Sequence, residues 1–270
     1  MSGFITKGVP VGRPFCLLKY QFWLIFAFIY FLPFSLYAQT CGPDRVDEKV
    51  QYTYVYDGDT IELKDGRKLR FIGINTPEIG HNESPPQPYA VKARKVLISL
   101  LAHNKTLQLR FDAERHDKYN RLLAHVFLSD GSSVAARLLE QGLATTLVIP
   151  PNVWNQTCYS EIEHKAMAQK KGLWSLPEYQ PVDAAKLTSN QGYQIVRGRI
   201  KRIGKSKKSI WLNLNRRVAL RIDKKDLIYF NTIDFDHLKN HNIIARGWIH
   251  SNKGELNMRI HHPAALEVLN

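Results

Sequence analysis

The stretch RFIGINTPE, residues 70–78, begins with an arginine, continues as an apolar run and ends in Thr-Pro-Glu. An inward-facing strand explains the isoleucines. Arg70 and Glu78 need another explanation, because charged side chains are almost never buried unless they are paired. Pro77 biases Thr76 toward an extended backbone and cannot donate to a strand ladder, so the strand is expected to end there. The segment therefore predicts a strand with chemical groups at both ends.

The sequence on both sides of this stretch predicts strands with helices inserted and appended. Turn signals separate strand-like runs over residues 52–74, so the run that ends in this stretch is expected to be the second strand of a hairpin. Ser160 and Glu163 have capping-box spacing, which predicts a helix that opens there and runs to Gly172. Further elements are predicted as a helix after Pro88, strands in KTLQLRF (105–111) and LLAHVFL (122–128), and a short helix in SSVAARLLEQG (132–142). This order favours an α+β domain over residues 50–176, built on a small antiparallel barrel.

A second, smaller β domain is predicted for the C-terminal part of the chain. Residues 177–191 contain two prolines and little periodicity, so we expect a linker there. Five short strand-like runs with glycines at bends follow over residues 192–270. They favour a small OB-like β-barrel, a type that binds oligonucleotides, with a helix between about Asp226 and Lys239.

The chain is strongly basic, with a formal net charge of +14 over 270 residues. Such a balance favours polyanionic partners and salt-sensitive association with nucleic acid. The segment from Arg197 to Lys225 contains twelve lysines and arginines and one acidic residue, Asp223, with Tyr193 and Trp211 nearby in the sequence. A basic strand face with aromatic rings suits single-stranded nucleic acid. Side chains along a strand point alternately to the two faces of the sheet, so a solvated basic face with the aromatic rings turned inward fits this sequence equally well.

The N-terminus has the order of a secretory signal peptide over residues 1–38. Lys7, Arg13 and Lys19 precede the apolar run FWLIFAFIYF (22–31), and SLYA (35–38) places the small residue Ala38 at the expected cleavage point. The apolar run is shorter than the roughly 20 residues that a spanning helix needs. We expect cleavage after Ala38 and a secreted or periplasmic protein without stable membrane association, the alternative being a retained membrane anchor. Cleavage removes three of the fourteen net charges and leaves +11.

Two cysteines remain in the expected mature chain. Cys16 lies in the signal segment, which leaves Cys41 and Cys158. An even pair in an oxidising compartment indicates a disulfide, and this one would hold an N-terminal tail that otherwise frays.

Three motifs together have the composition of a phosphodiester-cleaving site. DGDT (57–60) supplies two carboxylates at a strand break, RFIGINTPE supplies an arginine and a glutamate, and DKYNR (117–121) supplies Arg121. Carboxylate and carbonyl oxygens suit hard cations such as Ca²⁺, and guanidinium groups bind phosphate. Each motif alone has a simpler interpretation, namely an ordinary turn, a strand exit, and a polar loop in which Arg121 pairs with Asp117.

From about residue 50 to residue 174 the chain resembles the staphylococcal nuclease family. The resemblance rests on DGDT, RFIGINTPE, DKYNR and EQGLA (140–144), which occur in the family's order and at similar spacing. It implies an OB-type five-stranded β-barrel with packed helices, and a Ca²⁺-dependent phosphodiesterase that cuts DNA and RNA.

The resemblance also implies a metal site. Asp59 matches the carboxylate ligand of Ca²⁺, and the backbone carbonyl of Thr76 matches another ligand. Asn75 stands where the family's best-known member has an aspartate. Its amide oxygen can still coordinate, but one negative charge is missing, so weaker Ca²⁺ binding is expected.

The catalytic and substrate-binding residues follow from the same motifs. Arg70 and Arg121 resemble the two arginines that clamp phosphate, and Glu78 resembles the carboxylate that activates or orients the attacking water. Lys118 and Tyr119 match positions that contact a neighbouring phosphate. The segment TTLVIPPN (145–152) lacks the tyrosines that flank the nucleotide in the best-known member, so the resemblance assigns no stacking residues there.

Two functional interpretations follow. The first is a secreted nuclease, expected to be a monomer, whose C-terminal barrel holds DNA or RNA. The second is a non-catalytic nucleic-acid-binding module that keeps the nuclease fold. Degenerate members of the family typically lose the arginines or the glutamate, whereas Arg70, Glu78 and Arg121 are all present here, which favours the enzyme.

Overall fold

The computed structural model describes residues 1–4, 8, 41–80, 84–188, 192–252 and 254–269. Most of the predicted signal segment, residues 1–38, lies outside the described residues. Residues 39–270 form one compact unit. Within the described ranges, no helix is both long and apolar enough to cross a membrane.

The first part of this unit is built on a six-stranded sheet. Its strands have the spatial order β1-β6-β7-β4-β3-β2, while β5 and β8 form a separate pair. β4 and β7 run parallel and the other neighbours run antiparallel. The strands are β1 (Glu48–Val50), β2 (Tyr52–Val55), β3 (Thr60–Leu63), β4 (Lys68–Phe71), β5 (Gly73–Asn75), β6 (Leu107–Arg110), β7 (Leu122–Phe127) and β8 (Thr145–Leu147). The predicted hairpin is confirmed as β3 and β4, in which Thr60 pairs with Arg70.

The run that was predicted as one strand is two strands, and this prediction was wrong at Ile72. Gly73 has a φ of +87°, a left-handed conformation that favours glycine. A Cβ at Gly73 would also lie 2.6 Å from the ring of Tyr159. The break turns β5 away from the six-stranded sheet and onto β8, where Asn75 pairs with Thr145.

Three α-helices pack on this sheet: α1 (Ala90–Ala102), α2 (Val134–Glu140) and α3 (Gln156–Ala168). The helix predicted after Pro88 is confirmed as α1, and the short helix in residues 132–142 is confirmed as α2. The Ser133 hydroxyl caps α2 by accepting a hydrogen bond from the Ala136 N–H at 3.2 Å. The predicted start at Ser160 was wrong, because α3 begins at Gln156 and Glu163 is turned to contacts outside the helix.

The first core is formed by apolar side chains from the sheet and the helices, among them Ile61, Leu69, Leu97 and Leu138, each 0% exposed. The predicted disulfide is confirmed. Cys41 and Cys158 are bonded, with their Cα atoms 5.9 Å apart. The bond attaches the segment before β1 to α3.

The second part contains the remaining strands around a core of its own. The strands have the order β11-β12-β13-β15-β14-β10-β9, and β16 pairs with β14. Their bounds are β9 (Val182–Asp183), β10 (Gly192–Arg199), β11 (Arg202–Lys205), β12 (Ser209–Asn213), β13 (Val218–Asp223), β14 (Asn242–Asn252), β15 (Glu255–Arg259) and β16 (Leu266–Leu269). Among the described strands no ladder closes this sheet, so the second OB-like barrel stays a prediction. The α+β class of the chain is as predicted.

The helix predicted between about Asp226 and Lys239 was wrong. Two 3₁₀ turns, Lys224–Tyr229 and Phe235–Leu238, lie in this region. The Asp234 carboxylate accepts a hydrogen bond from the Asp236 N–H at 3.0 Å. Such local side-chain bonds offer the backbone an alternative to an α-helix.

The described part of the predicted linker is folded. Residues Pro177–Tyr179 form a 3₁₀ turn, and β9 pairs in parallel with β10. Ala184 and Leu187 are buried in the second core. A further small cluster, formed by Ala166, Trp174 and Ile195, joins the two parts.

Candidate active site

Asp59 and Arg70 form the centre of the candidate site, because β3 and β4 place them in adjacent positions. The Arg70 Nη1 atom forms an ion pair with Asp59, and the two side chains are only 13% and 4% exposed. Asp59 Oδ2 accepts hydrogen bonds from the Thr76 N–H at 2.7 Å and from the Thr76 hydroxyl at 2.9 Å. The start of β3 is thereby tied to the residue that follows β5.

Asn75 completes this cluster. Its Oδ1 atom accepts a hydrogen bond from Arg70 Nη2 at 3.0 Å, and its Nδ2 donates to the Thr76 carbonyl oxygen at 3.3 Å. Two of the three oxygen ligands that the resemblance implies, the Asn75 amide oxygen and the Thr76 carbonyl, are therefore hydrogen-bonded to protein groups. An aspartate in this position could not donate to the carbonyl, so the asparagine stabilises the cluster without a cation.

A second carboxylate lies beside Asp59. Asp57 Oδ1 accepts a hydrogen bond from the Asp59 N–H at 2.9 Å. Burial, together with the Asp59 charge, raises the pKa of Asp57 to about 7. Like charges this close oppose ionisation, and a bound divalent cation would offset them. Gly58 between them is closely packed, since a Cβ there would lie 2.7 Å from Thr76 Cγ2.

These oxygen atoms fit a hard cation. Asp59, the Asn75 amide and the Thr76 carbonyl are the donor types that Ca²⁺ takes, with the Asp57 carboxylate nearby. Only two of these groups are carboxylates. Across the described ranges, no group of three or more His, Cys, Asp or Glu side chains could hold a metal ion. The site therefore has few ligand charges.

Glu78 lies at the edge of this cluster, where it is exposed to solvent. Its backbone is clamped by Gln87: the Glu78 N–H donates to Gln87 Oε1, and the Gln87 N–H donates to the Glu78 carbonyl, both at 2.9 Å. Glu78 and Asn75 line a cavity of about 310 Å³ that also includes Tyr193 and Trp248 of the second part. The carboxylate is therefore open to a ligand in this cavity.

Arg121, Lys118 and Tyr119 form a separate group in the connection between β6 and β7. Arg121 Nε donates to Asp117 Oδ2 at 2.7 Å, so the predicted pair is present. Within the described residues, the two terminal nitrogens of Arg121 have no hydrogen-bond partner. The Lys118 ammonium and the Arg121 guanidinium lie 4.8 and 5.5 Å from the centre of the Tyr119 ring, which is 67% exposed.

The sheet relates the two groups. Arg70 pairs with Leu123 in the parallel β4–β7 ladder, and Arg121 lies two residues before Leu123. Arg70 thus lies in β4, and Arg121 lies in the connection immediately before the neighbouring strand β7. An ordered carboxylate–guanidinium cluster beside an exposed glutamate has the groups to bind a phosphate and a water molecule, and Arg121 supplies a second guanidinium next to β4.

Sequence reasoning missed two residues that shape the site. Asp57 was recognised as part of DGDT but was given no role, although its carboxylate supports the Asp59 backbone. Gln87 lies in a proline-rich stretch that gives no periodic signal. Only the folded chain shows that it holds Glu78.

Comparison with known proteins gives consistent matches to nucleases. A family profile described as staphylococcal nuclease homologue matches residues 68–176. The thermonuclease of Staphylococcus intermedius is 35% identical over 123 residues, which are 44% of this chain and 72% of that protein. The thermonuclease of Staphylococcus hyicus is 36% identical over 124 residues, with coverages of 45% and 72%.

A Bacillus subtilis protein named endonuclease YncB extends this similarity. It is 40% identical over 128 residues, which are 46% of this chain and 60% of that protein. The three matches thus span less than half of the present chain.

Proposed function

Because the chain belongs to the staphylococcal nuclease family, we propose that it is a secreted, calcium-dependent nuclease that hydrolyses phosphodiester bonds of DNA and RNA without strong sequence specificity. The cluster of Asp59, Arg70, Asn75 and Thr76 carries this proposal. It combines oxygen ligands with an ordered guanidinium, beside a cavity that Glu78 lines.

The residues have distinct roles in this proposal. Asp59, Asn75 and the Thr76 carbonyl would hold the cation. When bound, Ca²⁺ supplies a Lewis acid that polarises a phosphoryl oxygen and orients water. Arg70 and Arg121 donate hydrogen bonds to phosphate oxygens, whose charge grows in the transition state.

Glu78 accepts a proton from the attacking water or holds that water by a hydrogen bond. Its exposed position and its clamped backbone suit this role. Lys118 and Tyr119 contact a neighbouring phosphate of the strand, for which their exposed loop gives space.

The second part of the chain lies beyond the matched region, and its role is a separate proposal. We assign residues 192–270 to an OB-like domain that holds nucleic acid, preceded by the connecting segment 177–191, whose β9 pairs with β10. Two features of the sheet support the OB-like assignment. β13 and β15 pair in parallel, and β10 and β11 lie at separate places in the strand order. β10 and β11 follow each other with two residues between them, as halves of one bent strand would.

Export is proposed from residues 1–38, which have the sequence of a signal peptide. The Cys41–Cys158 disulfide supports a secreted or periplasmic location, because disulfides persist in oxidising compartments. We propose a monomer that is not stably attached to a membrane once the signal is removed.

The test is digestion of single- and double-stranded DNA and of RNA by residues 39–270 across a calcium titration, with EGTA as the metal-free control. We expect calcium-dependent cleavage that Glu78→Gln abolishes and Glu140→Gln leaves unchanged. Arg70→Ala is expected to lower the rate on the order of 10³- to 10⁵-fold. Absence of cleavage at millimolar calcium, with DNA still bound, would favour the non-catalytic module instead.

A further inference from the structure

One row of side chains crosses the second sheet and ends at the candidate active site. Trp211 on β12 pairs with Arg221 on β13, and Arg221 pairs with Arg259 on β15. On the next two strands of the sheet, Trp248 on β14 pairs with Tyr193 on β10. These five residues all line a second cavity, of about 540 Å³.

The two halves of the row are adjacent. Ile249 on β14 and Met258 on β15 are antiparallel partners. Trp248 precedes the first and Arg259 follows the second, so they face each other in the next step of the ladder. The row thus runs Trp–Arg–Arg–Trp–Tyr across five strands. Four strand spacings of about 4.8 Å give it a length of about 19 Å.

The same row borders the cavity of the candidate active site. Tyr193 and Trp248 line the 540 Å³ cavity, and they also line the 310 Å³ cavity that contains Asn75 and Glu78. Their rings are 5.4 Å apart in an edge-to-face arrangement. A linear ligand that lies along the row therefore reaches the cavity lined by Glu78.

The arginines of the row are held in place and still accessible. Asp223 forms ion pairs with Arg221, at 2.8 Å, and with Arg259, and the two arginine side chains are 40% and 38% exposed. The Arg259 Nε is a buried donor without a hydrogen-bond partner in the described part of the chain. The Arg221 guanidinium lies 5.7 Å from the centre of the Trp211 ring.

We propose that this row is a binding track for single-stranded nucleic acid, which guides the strand into the cavity of Glu78. Bases stack on Trp211 and Trp248, and phosphates bind Arg221 and Arg259. Rings alternating with cations suit a single strand, because its bases are free to stack while its backbone follows the charge. The base pairs of a duplex have no exposed faces along their length.

The track also supplies what the first part of the chain lacks. The segment 145–152 has no aromatic residue, yet Thr145 lines the same cavity as Trp248. The second part therefore brings an aromatic ring to the candidate active site. The inference rests on the proposed function for the identity of its ligand, and its test separates the two.

Binding is measured without cleavage, in the Glu78→Gln variant of residues 39–270 with EGTA. The probes are a fluorescent 20-nucleotide oligothymidine, a matching oligouridine and a 20-base-pair duplex, followed by anisotropy. We expect Trp248→Ala and Trp211→Ala to weaken binding of both single strands by about 5- to 150-fold each. Trp248→Phe is expected to restore most of the binding, because a ring is kept.

Two variants on the same domain but off the row serve as controls. Ile228→Ala removes an apolar side chain that is 75% exposed, and Arg216→Ala removes a positive charge. Both are expected to bind the oligothymidine like the parent. Arg259→Gln is expected to reduce the slope of log K against log salt by about 0.7, the value for one phosphate contact on a single strand.

Each outcome bears on the proposal. Equal binding by the Trp248→Ala and Ile228→Ala variants would overturn it, as would parallel losses for duplex and single strand. Melting curves identify any variant that is misfolded; if Trp248→Ala is misfolded, the comparison of Trp211→Ala with Ile228→Ala decides. With Glu78 restored and calcium added, Trp248→Ala is expected to raise KM for the 20-nucleotide strand and leave kcat unchanged. If the parent binds through the row but never cleaves, the proposed function fails and the track stands.

Discussion

The buried ion pair between Glu163 and Arg246 gives the sharpest prediction for stability. Glu163 is 0% exposed, and its carboxylate accepts hydrogen bonds from the N–H and the hydroxyl of Thr146, both at 2.7 Å. Arg246 Nη1 lies 2.5 Å from the same carboxylate, and the Arg246 side chain is 12% exposed. Burial disfavours the charged guanidinium and is the largest single effect, but the charge and hydrogen bond of Glu163, together with nearby Tyr193 and Glu267, raise the pKa of Arg246 above its usual value.

The substitution Glu163→Gln removes the counter-charge and keeps the size of the side chain. Arg246 stays in place through its bonds to the Thr146 hydroxyl at 3.0 Å and the Ala264 carbonyl at 3.1 Å. Its charge is then buried without the Glu163 counter-charge. Breaking a buried pair from one side costs about 3–5 kcal/mol, a large share of the roughly 5–15 kcal/mol by which proteins are stable.

The assay is urea unfolding of residues 39–270, followed by tryptophan fluorescence. Glu140→Gln is the matched control, because Glu140 is 53% exposed and its nearest partner, Arg137, lies 3.9 Å away. That variant is expected to stay within about 0.5 kcal/mol of the parent. The double variant Glu163→Gln with Arg246→Met removes both charges and is expected to recover part of the loss.

The reasoning is refuted if Glu163→Gln unfolds like Glu140→Gln. It is also refuted if the double variant is less stable than Glu163→Gln alone. In that second case the Arg246 guanidinium would stabilise the fold even without the Glu163 charge. The contact between Glu163 and Arg246 would then contribute through packing and not through charge.

Three further predictions concern the candidate site and the disulfide. Asn75→Asp adds one ligand charge, so the Ca²⁺ concentration for half-maximal cleavage is expected to fall by about tenfold or more; an unchanged titration contradicts the assigned ligand. Replacing Cys41 and Cys158 by serine opens a link across 117 residues. Urea unfolding is expected to show a loss of about 4–5 kcal/mol, and a loss below 1 kcal/mol argues against this mechanism. Gly58→Ala brings a methyl group 2.7 Å from Thr76 Cγ2, and calorimetry is expected to show a loss of about 1–3 kcal/mol.

The parts of the fold that could be predicted depend on local signals. The hairpin of β3 and β4 follows from turn residues between β-branched runs, and α2 follows from a serine cap and a glycine after its end. These signals act within a few residues. The disulfide was also predictable, because only two cysteines remain after the signal segment.

The parts that could not be predicted depend on distant residues. Gly73 breaks the strand next to the ring of Tyr159, which lies far along the chain. Glu163 reads locally as the end of a capping box, but its partner Arg246 is 83 residues away. A tertiary contact of this strength overrides a weak local preference.

The candidate site shows the same division. Its residue types are visible in three motifs, yet no motif shows that the Asn75 amide joins Arg70 to the Thr76 carbonyl. The side chain was assigned to the metal alone. In the folded chain it also donates a hydrogen bond to the Thr76 carbonyl and accepts one from Arg70.

The contacts of β8 connect the second part of the chain to the candidate metal ligands. Arg246 fixes Glu163, and Glu163 fixes Thr146 on β8. The adjacent residue, Thr145, pairs with Asn75 on β5. One continuous set of bonds therefore joins the second sheet to the segment that carries Asn75 and Thr76. Because the row of Trp248 and Tyr193 belongs to that same sheet, the cavity of Glu78 keeps its shape only while the two parts stay together.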